Sequence, residues 1–348
     1  MRVVVVGASG NVGTSVLRAL ADEPAVESIL GVARRLPDRE FAKTEWASAD
    51  VAHDDLEPLF RGADCVVHLA WLIQPSHDLE HLWQTNVLGS LRVFRAVAVA
   101  GVPSLVYASS VGAYAAGPKD RGVDESWPAT GIHSSYYARH KVAVERLLDE
   151  FERDHPELRV VRLRPAFIFK REVGAGVRRL FLGPFVPSPL VRPKFIPLVP
   201  EHPRLRFQAV HSYDIGHAYR RAIVSDVRGA FNIAAEPVLD GGTLARTLGA
   251  RPVRVGRRVV RAVAQLTWKL RLQPSDGGWV DLAYGVPLMD TTRARTELGW
   301  APTRSATDAL LDVVHGIADE ASLETPPLTD EKSRAEELAT RVGGTEKL

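Results

Sequence analysis

Cysteine is all but missing: the 348 residues contain one, Cys65, which excludes an intrachain disulfide and any metal site built on paired thiolates. A lone thiol in a chain of this length fits a reducing compartment, so a cytoplasmic protein is expected. An excess of charge of one sign is also missing. The 44 basic and 42 acidic residues leave +2, without the clustered basic excess of nucleic-acid-binding domains, and no nucleic-acid partner is expected. Long apolar runs are few. Met1-Arg2 leads into Val3 to Val6 and then glycine, far shorter than the apolar core of a signal peptide, so no export is expected. Ala96 to Pro118 carries no formal charge over 23 residues. Gly101, Pro103 and Ser109-Ser110 nevertheless divide it into helix end, turn, buried strand and loop, so no integral membrane segment is expected. The eleven histidines are scattered. His77 and His81 stand at i, i+4 without a third ligand, and no metal is expected.

What is present is an alternation. Short apolar runs (Arg2 to Val6, Ser28 to Ala33, Cys65 to Ala70, Ser104 to Ser109, Arg159 to Leu163) are interleaved with helical patterns over Val12 to Ala21, Leu79 to Ala100 and Ser135 to Arg153. Strands apolar throughout and separated by helices predict a parallel sheet covered on both faces, an α/β doubly wound design. Such sheets bind ligands beyond the carboxyl ends of their strands, which places the site after residues 6, 33, 70, 109 and 163. Beyond Pro165 the texture changes: seven prolines between residues 183 and 203 predict loops and short strands of a smaller, C-terminal substrate-binding lobe. Gly229 to Ala234 reads as a return to the main sheet. The expected division is therefore 1–166 with 204–236 for the nucleotide-binding part, 167–203 with 237–318 for the substrate lobe, and 319–348 as a polar tail.

Gly7-Ala8-Ser9-Gly10-Asn11-Val12-Gly13 follows the first strand and opens the first helix. Glycine permits the tight turn and the close approach of backbone N–H groups to a pyrophosphate, and the helix N-terminus adds partial positive charge. In that context the motif predicts a dinucleotide site. About twenty positions on, where an acid would bind the ribose of NAD, stand Ala33, Arg34 and Arg35, so NADP(H) is favoured over NAD(H). Downstream, Tyr137 and Lys141 are one helical turn apart. An ammonium that close favours the phenolate and is expected to lower the tyrosine pKa from about 10, making Tyr137 a candidate general acid/base. Tyr136 is a decoy, since its i+4 neighbour is His140.

In these motifs, and in Asp50-Val51, DCVVHLA (64–70), Asn86-Val87-Leu88-Gly89-Ser90, VYASSVGAY, Arg164-Pro165 and DTTRARTELGW (290–300), the chain resembles an extended short-chain dehydrogenase/reductase of the NAD-dependent epimerase/dehydratase kind over about residues 1 to 315. The resemblance implies a Rossmann-type nucleotide-binding domain. It makes Tyr137 the proton donor/acceptor and Lys141 the holder of the nicotinamide ribose. It makes Ser110, in preference to Ser109, the residue orienting the substrate oxygen, and Asn86 a helper acting through structure or a proton-relay water. Asp50 and Val51 become adenine-side contacts, Leu69 and Ala70 the strand end beside the cofactor, and Pro165 the turn near the carboxamide. Trp71, where small residues are common, is expected to narrow the pocket. A homodimer through the helices holding Leu91 to Ala100 and Val142 to Phe151 is also implied.

Nucleotide-sugar enzymes of that kind clamp a diphosphate with arginines. Here the clamp position before Asp214 falls on Phe207, with Arg206 one residue out of register, and the run Trp279 to Met289 has no arginine. A diphosphate without charge-assisted partners is poorly held, while Trp71, Leu72, Ile73, Phe167, Ile168, Phe169, Phe181 and Phe185 are available to line a pocket. The favoured reading is hydride transfer to or from a carbonyl or carbinol carbon of a small, weakly charged substrate. A nucleotide-sugar epimerase/dehydratase using Arg171, Arg178, Arg179, Arg192 or Arg204 is the alternative, and a non-catalytic dinucleotide sensor ranks below both. Residues 251 to 271 hold seven cations and no acid, interleaved with apolar residues. They are read as a substrate-lobe helix with a solvated polar face, in preference to one lying on an anionic membrane or acidic partner.

Overall fold

The computed structural model describes residues 1–73, 77–182 and 187–328. Seven parallel strands form the central sheet: β1 (Arg2–Val6), β2 (Ser28–Ala33), β3 (Thr44–Ser48), β4 (Cys65–His68), β5 (Ser104–Ala108), β6 (Arg159–Pro165) and β7 (Gly229–Ile233), in the order β7-β6-β5-β4-β1-β2-β3. The order reverses between β1 and β4, the crevice where open α/β sheets bind ligands. Valines 3 to 6 of β1 are fully buried and pair with β2 on one side and β4 on the other. That two-sided burial is why the strand reads as unbroken valine.

Two apolar layers cover the sheet. One face carries α1 (Asn11–Ala21) and α5 (Ser212–Val224), packed on Val3, Val5, Val67, Leu163 and Phe231. The other carries α3 (Gly89–Val99) and α4 (Tyr136–Asp154), packed on Val4, Val6, Val66 and Val160. The expected single helix over 79–100 is three pieces: α2 (Leu79–Trp83), a π-turn at Gln84–Leu88, and α3.

The chain leaves the sheet after β6 and forms a second sheet of Phe167–Phe169, Phe207–His211 and Ala235–Leu239. The late motifs turn out to be a latch. Asp214 accepts from the Thr303 and Arg304 backbone and from the Thr303 hydroxyl, and its carbonyl accepts from the Trp300 indole at 2.8 Å. Residues 319–328 of the segment expected to be a polar tail make contacts with the second lobe. Asp319 pairs with Arg171 and Arg192, and Leu328 is buried beside Val173 and Ile317. The rest of that expected tail, 329–348, lies outside the described residues, as do Pro184 and Phe185.

Helices α6 (Gly241–Leu248), α7 (Arg257–Lys269), α8 (Gly277–Gly285) and α9 (Ala306–Ala318) complete the labelled set. The reading of residues 251 to 271 needs correction: α7 has no buried residue, and its apolar positions Val259, Val263 and Leu266 are each more than half exposed. The sequence marks which side of the helix is apolar; packing through Arg257 and Arg261 to Asp281 turned that side outward.

Candidate active site

Five chain segments meet beyond the strand ends, and the glycine loop forms their floor. Gly7 has φ +87°, and a Cβ there would lie 2.6 Å from the Ala70 nitrogen, so β1 and β4 can end side by side only with glycine at this position. A Cβ on Gly13 would come within 2.4 Å of the Gly7 and Ala8 carbonyl oxygens. Gly10 caps α1 without a side chain, and no acid stands in the first turn, so the helix's first N–H donors keep their capacity for an anion. Asn11 Oδ1 is buried with no partner among the described residues, Ser9 is buried, and Val12 packs partly buried on the core. An uncapped helix start and two glycines without room for a side chain fit a dinucleotide pyrophosphate.

Lys170, the first residue after the short strand Phe167–Phe169, reaches back to this floor. Its ammonium is buried and donates to the Asn11 carbonyl at 2.9 Å and to Thr14 Oγ1 at 2.7 Å. Burial draws its pKa down to about 8.

At the adenosine end, Arg34 leaves β2 half-buried and Arg35 is exposed. Desolvation lowers the Arg34 pKa, and the Asp50 carboxylate opposes this. Asp50 Oδ1 accepts from the Ala52 N–H at 2.8 Å. Val51 lies so close to α3 that a Cβ on Gly89 would sit 2.8 Å from its Cγ2. Leu69 continues β4, donating to the Val6 carbonyl at 2.8 Å.

The proton-transfer candidates come from β5 and α4. Ser110 follows β5 in extended backbone, its hydroxyl accepting from the Gly112 N–H at 3.0 Å on the turn that also faces the Tyr137 ring. Ser135 caps α4, setting Tyr137 in its first turn. A Cβ on Gly112 would fall 2.8 Å from Tyr137 Cε1, so the ring lies flat against this turn. Burial pushes the phenol up to about 12, opposed by the Ser110 hydroxyl. The expected lowering by Lys141 does not appear, because the ammonium is directed elsewhere. It donates to the Ala108 carbonyl at 2.7 Å and lies 3.4 Å from the centre of the Trp71 ring, a cation–π contact. Burial itself holds the lysine well below its usual pKa, partly offset by Glu145. Tyr136 is buried against His140 and Trp279, and burial lowers His140 to about 4, which keeps it neutral.

Asn86 lies in the π-turn. Its Oδ1 accepts from Leu72 N at 2.7 Å and its Nδ2 donates to Leu72 O at 3.0 Å, so both ends of the amide hold the loop that carries Trp71. Pro165 ends β6, and the next residue, Ala166, donates to the Ile233 carbonyl at 2.9 Å.

Two residues beside the candidate site escaped the sequence reading. Trp279, from α8, lies 5.3 Å from Tyr137 between ring centres and 5.2 Å from Phe181; nothing local in the sequence announces it. Glu145, one turn after Lys141, accepts from Arg164 through both oxygens at 2.9 Å, from Arg162 at 2.8 Å and from Ser109 at 2.5 Å. Desolvation alone would raise its pKa; the Arg164 pairing overcomes that and holds it at about 2. Its signal was the continued four-residue spacing Tyr137, Lys141, Glu145. Ser109 is thereby committed to Glu145 and Ser110 is left to the phenol.

The pocket walls sort the apolar candidates. Trp71 meets Tyr137 edge-on at 6.0 Å, and Leu72 is buried beside Leu82 and Tyr136. Phe167 and Phe169 instead pack within the second lobe's core, and Ile168 against the main one. Among the arginine candidates, Arg171 and Arg192 bond Asp319, and Arg204 bonds the Tyr284 and Gly117 carbonyls.

Comparison with known proteins gives four findings. Residues 3–175 match the model of the NAD dependent epimerase/dehydratase family. An uncharacterized protein of Mycobacterium tuberculosis is 27% identical over 90% of this chain, which spans only 29% of that relative's length. L-arabinose 1-dehydrogenase (NAD(P)(+)) of Haloferax volcanii is 28% identical over 53% of this chain and 78% of its own. The structure of UDP-glucose 4-epimerase from Thermus thermophilus in complex with NAD shares the fold, with a TM-score of 0.67, 20% identity, and 91% and 99% of the two chains covered.

Proposed function

Because the chain belongs to the NAD dependent epimerase/dehydratase family through residues 3–175, we propose that it is an NAD(P)-dependent oxidoreductase acting on a carbonyl or carbinol carbon of a small, weakly charged substrate. The observation that carries this reading is the wall around Tyr137: two tryptophans, Trp71 and Trp279, with Phe181 behind the second. Such a wall favours an apolar or uncharged body over a diphosphate. L-arabinose 1-dehydrogenase carries out redox chemistry on an uncharged sugar, which accords with it.

A bound nicotinamide would supply the hydride chemistry, and the protein supplies binding, orientation and proton movement. Gly7, Ser9, Gly10, Asn11, Val12 and Gly13 would hold the pyrophosphate, with Asp50, Val51, Leu69, Ala70 and Pro165 along the rest of the molecule. Arg34 and Arg35 support a preference for NADP(H), because they follow the second strand at the position where an acid would bind the ribose of NAD. Lys141 would hold the nicotinamide ribose, Ser110 orients the substrate oxygen, and Tyr137 moves the proton. A phenol raised to about 12 stays protonated near neutral pH, which suits it to donate as a carbonyl is reduced. A homodimer in the cytoplasm and the two-part division of the chain belong to the same proposal.

The test is a panel of apolar ketones and aldehydes against nucleotide sugars, with Tyr137→Phe as the control. Turnover of the carbonyls, abolished in Tyr137→Phe while cofactor still binds, is expected. The alternative, a nucleotide-sugar epimerase/dehydratase, is favoured by the placement of Arg178 and Arg179 on the segment that brings Phe181 to Trp279. Turnover of nucleotide sugars alone would replace the oxidoreductase reading with it. Cofactor binding with no turnover of either class would indicate a sensor.

A further inference from the structure

Helix α7 is the most exposed helix-borne apolar surface of the described chain. Val259, Val263, Leu266 and Leu270 follow one another at spacings of four, three and four residues, one stripe of a helix, with exposures of 59%, 55%, 58% and 60%. Leu272, just past the helix, and Val253, on the strand Arg251–Arg254 that precedes it, are exposed as well. No described residue covers the stripe. Its opposite side is well anchored: Arg257 and Arg261 bond Asp281 of α8, and Gln265 accepts from the Gly277 N–H. A helix fixed from behind with its aliphatic side outward is not the solvated polar face that amphipathicity usually gives.

The charge around the stripe is one-sided. From residue 241 to 275 there is no Asp or Glu, against Arg246, Arg251, Arg254, Arg257, Arg258, Arg261, Lys269 and Arg271. Arg258 and Lys269 directly adjoin the stripe residues Val259 and Leu270. A cavity of about 540 Å³ opens beside the helix start, lined by His202, Arg257, Arg258 and Arg261 with Asp281 at its base. A second copy of the chain would set one predominantly cationic face against another, with Asp281 already bonded to Arg257 and Arg261, so self-association through this face is disfavoured by repulsion.

We propose that α7 is a peripheral membrane-binding element, its aliphatic stripe entering the interface of an anionic bilayer while the flanking arginines and lysine, and the cavity beside Arg258, take lipid phosphates. The helix is thirteen residues long and lies on the surface, the geometry of an in-plane interfacial helix. Because α7 packs on α8, which carries Trp279, the membrane-facing surface lies one helix away from the wall of the candidate site. This inference rests on the surface alone and is independent of the reaction.

The test is co-sedimentation of the full chain with phosphatidylcholine vesicles, with and without phosphatidylglycerol, at low and raised salt. Binding to the anionic vesicles at low salt, at least about tenfold weaker to the neutral ones and weakened by salt, is expected. Val263→Asp with Leu266→Asp removes binding, and Arg258→Glu with Lys269→Glu reduces it about tenfold or more, each with an unchanged melting temperature because these side chains face outward. Equal binding to neutral vesicles, no binding to either composition, or unaltered binding by Val263→Asp/Leu266→Asp overturns the proposal. So does a dimer in solution that this variant dissociates, or capture of polyglutamate without vesicle binding, which would identify the occupant as a second copy or an acidic protein.

Discussion

Replacing Glu145 by glutamine tests whether the buried ionic cluster behind Ser110 is an organising element. Glu145 is 2% exposed and is the sole carboxylate bonded to Arg164 among the described residues. Arg162 keeps Asp149 and Glu152, whereas Arg164 would keep only the Tyr114 hydroxyl and the Glu125 carbonyl. Breaking a buried pair from one side leaves an uncompensated charge and costs about 3–5 kcal/mol. The titration gives a similar figure. A carboxyl at about 2 in the folded chain, against about 4.3 unfolded, corresponds to about 3 kcal/mol. A folded pKa below the unfolded one contributes stability that is complete above about pH 4.3 and is lost as pH falls through about 2. At neutral pH, Glu145→Gln should lower the melting temperature by roughly 4–7 °C. Its deficit relative to the unaltered chain should shrink below about pH 4, and Glu145→Gln/Arg164→Met should cost less than the two single changes added together. Differential scanning fluorimetry across pH, with urea unfolding at pH 7, measures all three. An unchanged melting temperature in Glu145→Gln, or a deficit constant down to about pH 2.5, would refute the reasoning.

Gly13→Ala places a Cβ 2.4 Å from two carbonyl oxygens, so it should abolish dinucleotide binding by calorimetry or leave no folded protein; full binding in a folded variant would show that the loop relaxes. Arg34→Ala should raise KM for NADPH at least about tenfold while leaving NADH nearly unchanged, in line with the loss of a charge-assisted phosphate contact. A strong NADH preference in the unaltered chain, indifferent to the substitution, would refute the 2′-phosphate assignment.

Much of the site was legible because it is local. The valine run of β1 followed by glycine, and Tyr137 with Lys141 on one helical turn, are spacings that backbone geometry turns directly into position. Strand β3 was not read, since Thr44 to Ser48 is an edge strand with no fully buried residue, and Trp46 beside Ala47 between polar residues makes neither an apolar run nor a clear alternation. The π-turn around Asn86 arises from tertiary fit, with the amide spent on Leu72. Trp279 reaches Tyr137 across 142 positions of chain, a distance at which periodicity says nothing. Lys141 was placed correctly on its helix, but its proximity to Tyr137 in sequence did not reveal the competing carbonyl of Ala108 and the face of Trp71.

The Lys170 ammonium sews the second lobe to the first turn of the glycine-loop helix through the Asn11 carbonyl and Thr14. That seam makes the pyrophosphate side of the crevice a fixed jaw. The opposite side is built from a loop held at Leu72 and from α8, whose indoles, Trp71 and Trp279 respectively, each lie against the Tyr137 ring. The wall of the crevice on that side is therefore a pair of natural fluorophores.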